Sequence, residues 1–140
     1  MNKSGEIVLI EDDADDQMMF EETIASMGIQ NKVVKFFEAA AAFEYLQRPD
    51  VHPFIIVCDI NLPGINGVEL RNKVFADGGL KANKVPFIFF TTAADRVTLR
   101  RTDLEVPQGL FVKPNSYSEL QSILRLIVEY WTQCYAPERP

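Results

Sequence analysis

Several things are scarce in this sequence, and each shortage narrows what the protein can do. There is one histidine and there are two cysteines in 140 residues. Cys58 sits inside an apolar run, far from Cys134, and reads as a small buried hydrophobe in a reduced, cytoplasmic protein. His52 lies between Asp50 and Pro53 in a loop, where solvent exposure is expected rather than chemistry. Positive charge is in short supply: 14 Lys and Arg stand against 20 Asp and Glu, a net charge of -6. Phosphate backbones and anionic lipids both need Lys and Arg to offset their charge, so neither nucleic acid nor a membrane surface is an expected partner. No stretch approaches the roughly 20 apolar residues that cross a bilayer. The run Ile7–Ile10 is too short for a signal-peptide core, and acidic residues follow it at once. Internal repeats, low-complexity tracts and linkers are missing too.

What is present is a single-domain quantity of chain, 47% hydrophobic and 24% charged, enough for a core without metals or disulfides. Apolar runs alternate with helical stripes. Ile7–Ile10, Phe54–Cys58 and Val85–Phe90 are continuous apolar runs, as in strands buried on both faces. Val33, Val34, Phe36 and Phe37 suggest a further strand, and Leu110–Val112 a short fifth. Between them, residues 14–27 carry Met18, Met19, Phe20, Ile24 and Met27 and stop at Gly28. Ala39–Arg48 is Ala-rich and ends before Pro49. Residues 67–77 read as a helix behind the Asn66-Gly67 turn, and Ala94 to about Leu104 as a weak polar one. Ser116 and Glu119 form a capping box for a last helix. Its Leu120, Ile123, Leu124, Ile127, Val128 and Trp131 fall on one face. Five β-α units with right-handed crossovers predict an α/β fold: a flavodoxin-like, doubly wound parallel sheet of order 2-1-3-4-5 with five helices. The domain is expected over 1–135, with 136–140 a frayed tail and no output domain.

Folds of this kind bind ligands at the carboxyl ends of their strands. The residues there are Glu11-Asp12-Asp13, Asp59-Ile60-Asn61, Thr91-Thr92 and Lys113-Pro114. Converging on one pocket, they supply several carboxylates, a hydroxyl and one ammonium. Carboxylates so close repel one another, and a hard divalent cation relieves the repulsion. Few protein ligands combined with a substrate phosphate suit Mg²⁺. A carboxylate beside Mg²⁺ can attack phosphorus, a lysine can pair with the phosphate, and a threonine can donate to it.

Four segments carry a resemblance: Val8-Leu9-Ile10-Glu11-Asp12-Asp13, Val57-Cys58-Asp59 with Ile60–Gly67, Pro86–Thr92, and Val112-Lys113-Pro114. Together, in this order and at this spacing, they resemble the signature blocks of response-regulator receiver domains of two-component systems. Each block alone is a weak signal, since acidic pairs and Lys-Pro are common. The resemblance implies that Asp59 is the phosphoacceptor and that Glu11, Asp12, Asp59 and the carbonyl of Asn61 hold Mg²⁺. It implies that Thr91 is the switch hydroxyl and that Lys113 contacts the phosphate, with a cis Lys113–Pro114 bond. The phosphoryl donor would be a histidine kinase or a histidine phosphotransfer protein. Output would go to a downstream protein target through the face of residues 91–131, or onward as a relay, from a monomer or weak dimer. Such a protein is a switch that catalyses only its own phosphorylation and dephosphorylation. One departure stands out. The family often has Tyr or Phe three residues before the lysine; here that residue is Leu110, and Phe111 is expected on the opposite face. The side chains of Asn61 and Ala93 resemble positions that tune phosphate lifetime. Two other classes remain open. An aspartyl-nucleophile phosphatase would want an acid where Asn61 stands, and a flavodoxin-like cofactor protein would want a neutral phosphate loop where Glu11-Asp12-Asp13 stands.

Overall fold

A computed structural model describes residues 2–80, 84–92 and 109–134. The described elements, in order, are β1 (Ile7–Ile10), α1 (Ala14–Ser26), β2 (Val33–Phe36), α2 (Ala39–Leu46), β3 (Ile55–Asp59), α3 (Gly67–Phe75), a 3₁₀ turn (Ala76–Gly78), β4 (Phe87–Thr91), β5 (Leu110–Val112) and α4 (Tyr117–Gln133). All five strands are parallel, in the order β2-β1-β3-β4-β5. The expected polar helix over Ala94–Leu104 lies outside the described residues, as does Ala93. Among the described residues no helix is long and apolar enough to cross a membrane.

The two faces of the sheet are built by the period-2 alternation of its strands. Val8, Ile10, Ile56, Cys58, Phe87 and Phe89 point to the face covered by α2 and α3. Ile7, Leu9, Ile55, Val57, Ile88 and Phe90 point to the face covered by α1 and α4. β1, β3 and β4 are buried along their whole length, which is why they read as unbroken apolar runs. Leu110 joins the first cluster and Phe111 the second, where its ring stacks on Phe90 at 5.7 Å. The expected split between those neighbours therefore holds.

Helix ends follow local chemistry. The Asp13 carboxylate accepts from the backbone of Asp15 and Asp16, Asn66 from Glu69, and Ser116 from Glu119. Gly28 follows α1 with φ +69, a conformation L residues seldom adopt. Two expectations need adjustment. The apolar stripe of α1 is Phe20 and Ile24 backed by Met19 and Met27, whereas Met18 is 57% exposed and Gln17 is buried in its place. Residues 17, 20, 24 and 27 follow the helical repeat, which turns Met18 to the opposite side of the helix. β4 starts at Phe87 rather than Val85, because Pro86 has no N–H to pair and offers only its carbonyl, to Ile56.

The start of α3 is pressed against the end of β3. A Cβ on Gly67 would stand 2.6 Å from the Asp59 carbonyl oxygen and 3.0 Å from the Phe89 ring. The Gly67 N–H meanwhile donates to the Ile60 carbonyl at 2.7 Å. Gly67→Ala is expected to destabilise the fold by roughly 1–3 kcal/mol through this overlap. Urea denaturation measures it, and an unchanged midpoint would show that α3 can move away freely.

Candidate functional site

Register brings the strand ends level. Ile10 pairs with Cys58, so the next residues on each strand, Glu11 and Asp59, are neighbours. Asp59 pairs with Phe90 and Thr91 with Val112, which places Thr91 and Lys113 at the end of the same row. Backbone bonds pin each exit: Glu11 N–H to the Phe36 carbonyl at 3.0 Å, Ile60 to Phe90 at 2.9 Å, and Lys113 to Thr91 at 2.8 Å. Gln17, buried on α1, closes the β1–β2 end by donating its amide to the carbonyls of Phe36 (2.9 Å) and Glu11 (3.3 Å).

The site is a set of acids around one ammonium. Glu11 and Asp59 are buried and Asp12 is exposed, and one carboxylate oxygen from each lies within 4.8 Å of the others. The Lys113 ammonium donates to Glu11 Oε1 at 2.6 Å and to Asp16 Oδ2 at 2.9 Å, and stands 3.5 Å from Asp59 Oδ2. Glu11 Oε2 accepts from the Asp13 N–H at 3.1 Å, and Asp59 Oδ1 from the Asn61 N–H at 3.2 Å. The Thr91 side chain is buried, and its hydroxyl donates to the Thr92 carbonyl at 3.2 Å rather than to Asp59.

Burial dominates the electrostatics. It pushes the Glu11 carboxyl up to about 8, the Lys113 contact holding it down and the Asp59 charge adding to the rise. Burial raises Asp59 as well, against the pull of Lys113. For Lys113 burial alone would weaken the proton, but the Glu11 and Asp16 carboxylates outweigh it and raise the group. Burial thus raises both carboxyls, and the Lys113 ammonium opposes that rise without cancelling it.

The residues singled out from the sequence are described except those in the 93–108 stretch and the expected tail 136–140, which lie outside the described residues. Glu11, Asp12, Asp59, Asn61, Thr91 and Lys113 meet at one end of the sheet. His52 is exposed, and Cys58 is buried with its thiol on the Asp59 carbonyl. The Lys113–Pro114 bond is trans, as is every described peptide bond, which corrects the cis expectation. Trans is the lower-energy isomer before proline by about 0.5–1 kcal/mol, and with it Lys113 still reaches Glu11 and Asp16. Sequence reasoning missed Asp16 and Gln17. Asp16 in a first helical turn reads as a dipole-pairing acid, and Gln17 reads as a surface residue; only the fold turns both toward the site.

Comparison with known proteins agrees with this geometry. The chain matches the family described as response regulator receiver domain over residues 7–125, and it belongs to that family. Receiver domains are signalling switches of two-component systems. One relative is the probable methanogenesis regulatory protein FilR2 of Methanothrix harundinacea, 25% identical over 129 residues covering 89% of this chain and 82% of the relative. Among solved structures, the phosphorylated cyanobacterial phytochrome response regulator RcpA superposes with TM-score 0.77 at 24% identity, covering 92% of this chain and 94% of that one. The receiver domain of a sensor histidine kinase from Pseudomonas aeruginosa PAO1, solved with a magnesium ion in its active site cleft, gives 0.67 at 25% identity, with 90% and 98% covered.

The raised Glu11 carboxyl makes a prediction for the metal-free protein. The folded chain keeps a proton on Glu11 that the unfolded chain releases above about 4.5, so its contribution is fully present below that pH and is lost as pH rises toward 8. Metal-free stability is therefore expected to fall over this window, and to fall less in Glu11→Gln. Urea midpoints at pH 5 and pH 8 test this; the same drop in both proteins would assign it elsewhere.

Proposed function

We propose that Asp59 accepts a phosphoryl group from a phosphohistidine, carried by a histidine kinase or a histidine phosphotransfer protein, and that the chain switches its contacts with a downstream protein or passes the phosphoryl group on. The observation that carries this reading is the meeting, at one end of the sheet, of the Glu11, Asp12 and Asp59 carboxylates with the Lys113 ammonium. An Asp59 carboxylate oxygen attacks phosphorus. The P–N bond to the donor histidine breaks, the imidazole nitrogen keeps the electron pair, and an aspartyl phosphate results.

The donor set suits Mg²⁺. Glu11, Asp12 and Asp59 offer hard oxygens close together, and the Asn61 carbonyl is proposed as a fourth. Bound there, Mg²⁺ offsets the charge on Asp59 and on the incoming phosphoryl oxygens. Lys113 then donates to a phosphoryl oxygen. Thr91, whose hydroxyl rests on the Thr92 carbonyl, turns to donate to another. Because Leu110 packs into the α2–α3 side of the core, the change at Thr91 passes into the segment that follows it rather than through an aromatic ring at position 110.

Acetyl phosphate or beryllofluoride with Mg²⁺ is expected to give an adduct that disappears without the metal and in Asp59→Ala. Intact mass and NMR shifts read it out, and a folded protein with no adduct overturns the proposal. Lys113→Met should weaken the adduct by about ten-fold or more, since a charge-assisted partner of the phosphoryl group is lost. Apparent Mg²⁺ affinity should rise from pH 6 to pH 8, because the metal must displace the proton that burial keeps on Glu11. A calorimetric titration flat across that range would mean that Glu11 is not a ligand.

A further inference from the structure

Asp16 has no place in the family resemblance or in the trio of carboxylates that can share a metal, yet it holds the lysine of the site. Its backbone belongs to the capped start of α1. The Asp13 side chain caps α1 by accepting from the Asp15 and Asp16 N–H groups at 2.9 and 3.0 Å, which fixes the Asp16 backbone in the first turn. A lysine ammonium has three N–H donors. Two of them are engaged, by Glu11 at 2.6 Å and Asp16 at 2.9 Å, while Asp59 stands farther off at 3.5 Å. The lysine is thus held short of the carboxylate it is meant to serve. Glu11 faces the metal position, and a cation there would take up its charge. Asp16 would remain a competitor for Lys113 after the metal has bound.

We propose that Asp16 is a positioning residue that retains Lys113 in the resting state, so that formation of the phosphorylated state requires the ammonium to leave Asp16 for a phosphoryl oxygen. This rests on the phosphoacceptor reading of Asp59. Asp16 sets the balance between the two states without touching the phosphoryl group. Removing its charge frees a donor on Lys113 and also removes a negative charge from beside the phosphoryl dianion, and both effects favour the phosphorylated form.

The test is a calorimetric titration of the full chain with Mg²⁺ alone, then with beryllofluoride at saturating Mg²⁺. Asp16→Asn is expected to bind beryllofluoride about two- to five-fold more tightly, the range of one partly exposed ion pair, with no gain in Mg²⁺ affinity. A purely structural role would weaken both titrations, since a displaced α1 disturbs the metal ligands as well. Asp16→Ser, which removes the charge with a side chain that suits a helix start, should behave like Asp16→Asn. Asp16→Glu restores a carboxylate and should return toward the wild-type affinity. Asp15→Asn, one residue away and exposed, controls for general charge removal and should match wild type. Beryllofluoride binding unchanged or weaker in Asp16→Asn, or equally tightened in Asp15→Asn, overturns the proposal while wild-type adduct formation leaves the Asp59 reading standing. A wild-type protein that forms no adduct overturns both.

Discussion

Lys113 stands among Glu11, Asp16 and Asp59 at 2.6, 2.9 and 3.5 Å, one ammonium shared by three carboxylates. Two of those acids are buried, where an unpaired charge costs far more than in water. The arrangement is stable enough to fold and too poor in positive charge to be at rest. The carboxylates explain the tightly held lysine proton, burial explains the raised Glu11 and Asp59 carboxyls, and the clustered oxygens suit a hard divalent cation. The rest of the molecule serves to impose that proximity, which the four groups on their own would resist.

The sheet imposes it through register. Parallel pairing sets Glu11 beside Asp59, and the β4–β5 pairing carries Thr91 and Lys113 to the same end. Two apolar layers lock the register, because a slip of one residue would turn every core side chain to the wrong face. Close contacts then trim the site. Gly67 lets α3 begin against the Asp59 carbonyl, and Gln17 ties α1 to the ends of β1 and β2. The same α1 presents Asp16 to Lys113, so the helix that covers one face of the core also tunes the charge balance at its edge.

Leu110 and Phe111 show how a strand divides labour. Leu110 packs toward α2 and α3, whereas Phe111 stacks on Phe90 on the other face. The aromatic ring near the lysine is therefore core on the α1–α4 side.

Periodicity gave the five strands and the split of β5 between two faces, and with the handedness rule for crossovers it was enough for the sheet order and the residues at the strand ends. These follow from patterns of period 2 and 3.6, and from the rule that parallel α/β sheets place polar residues beyond their carboxyl ends. Tertiary structure alone decided the rest. Whether Met18 or Gln17 is buried depends on which face of α1 meets the sheet. That Asp16 grips Lys113 depends on a helix start and a strand end separated by 97 residues. A sequence specifies which groups arrive at an edge because local periodicity sets strand and helix phase. The partners those groups take are fixed by the distances between elements remote in the chain, and only packing sets those.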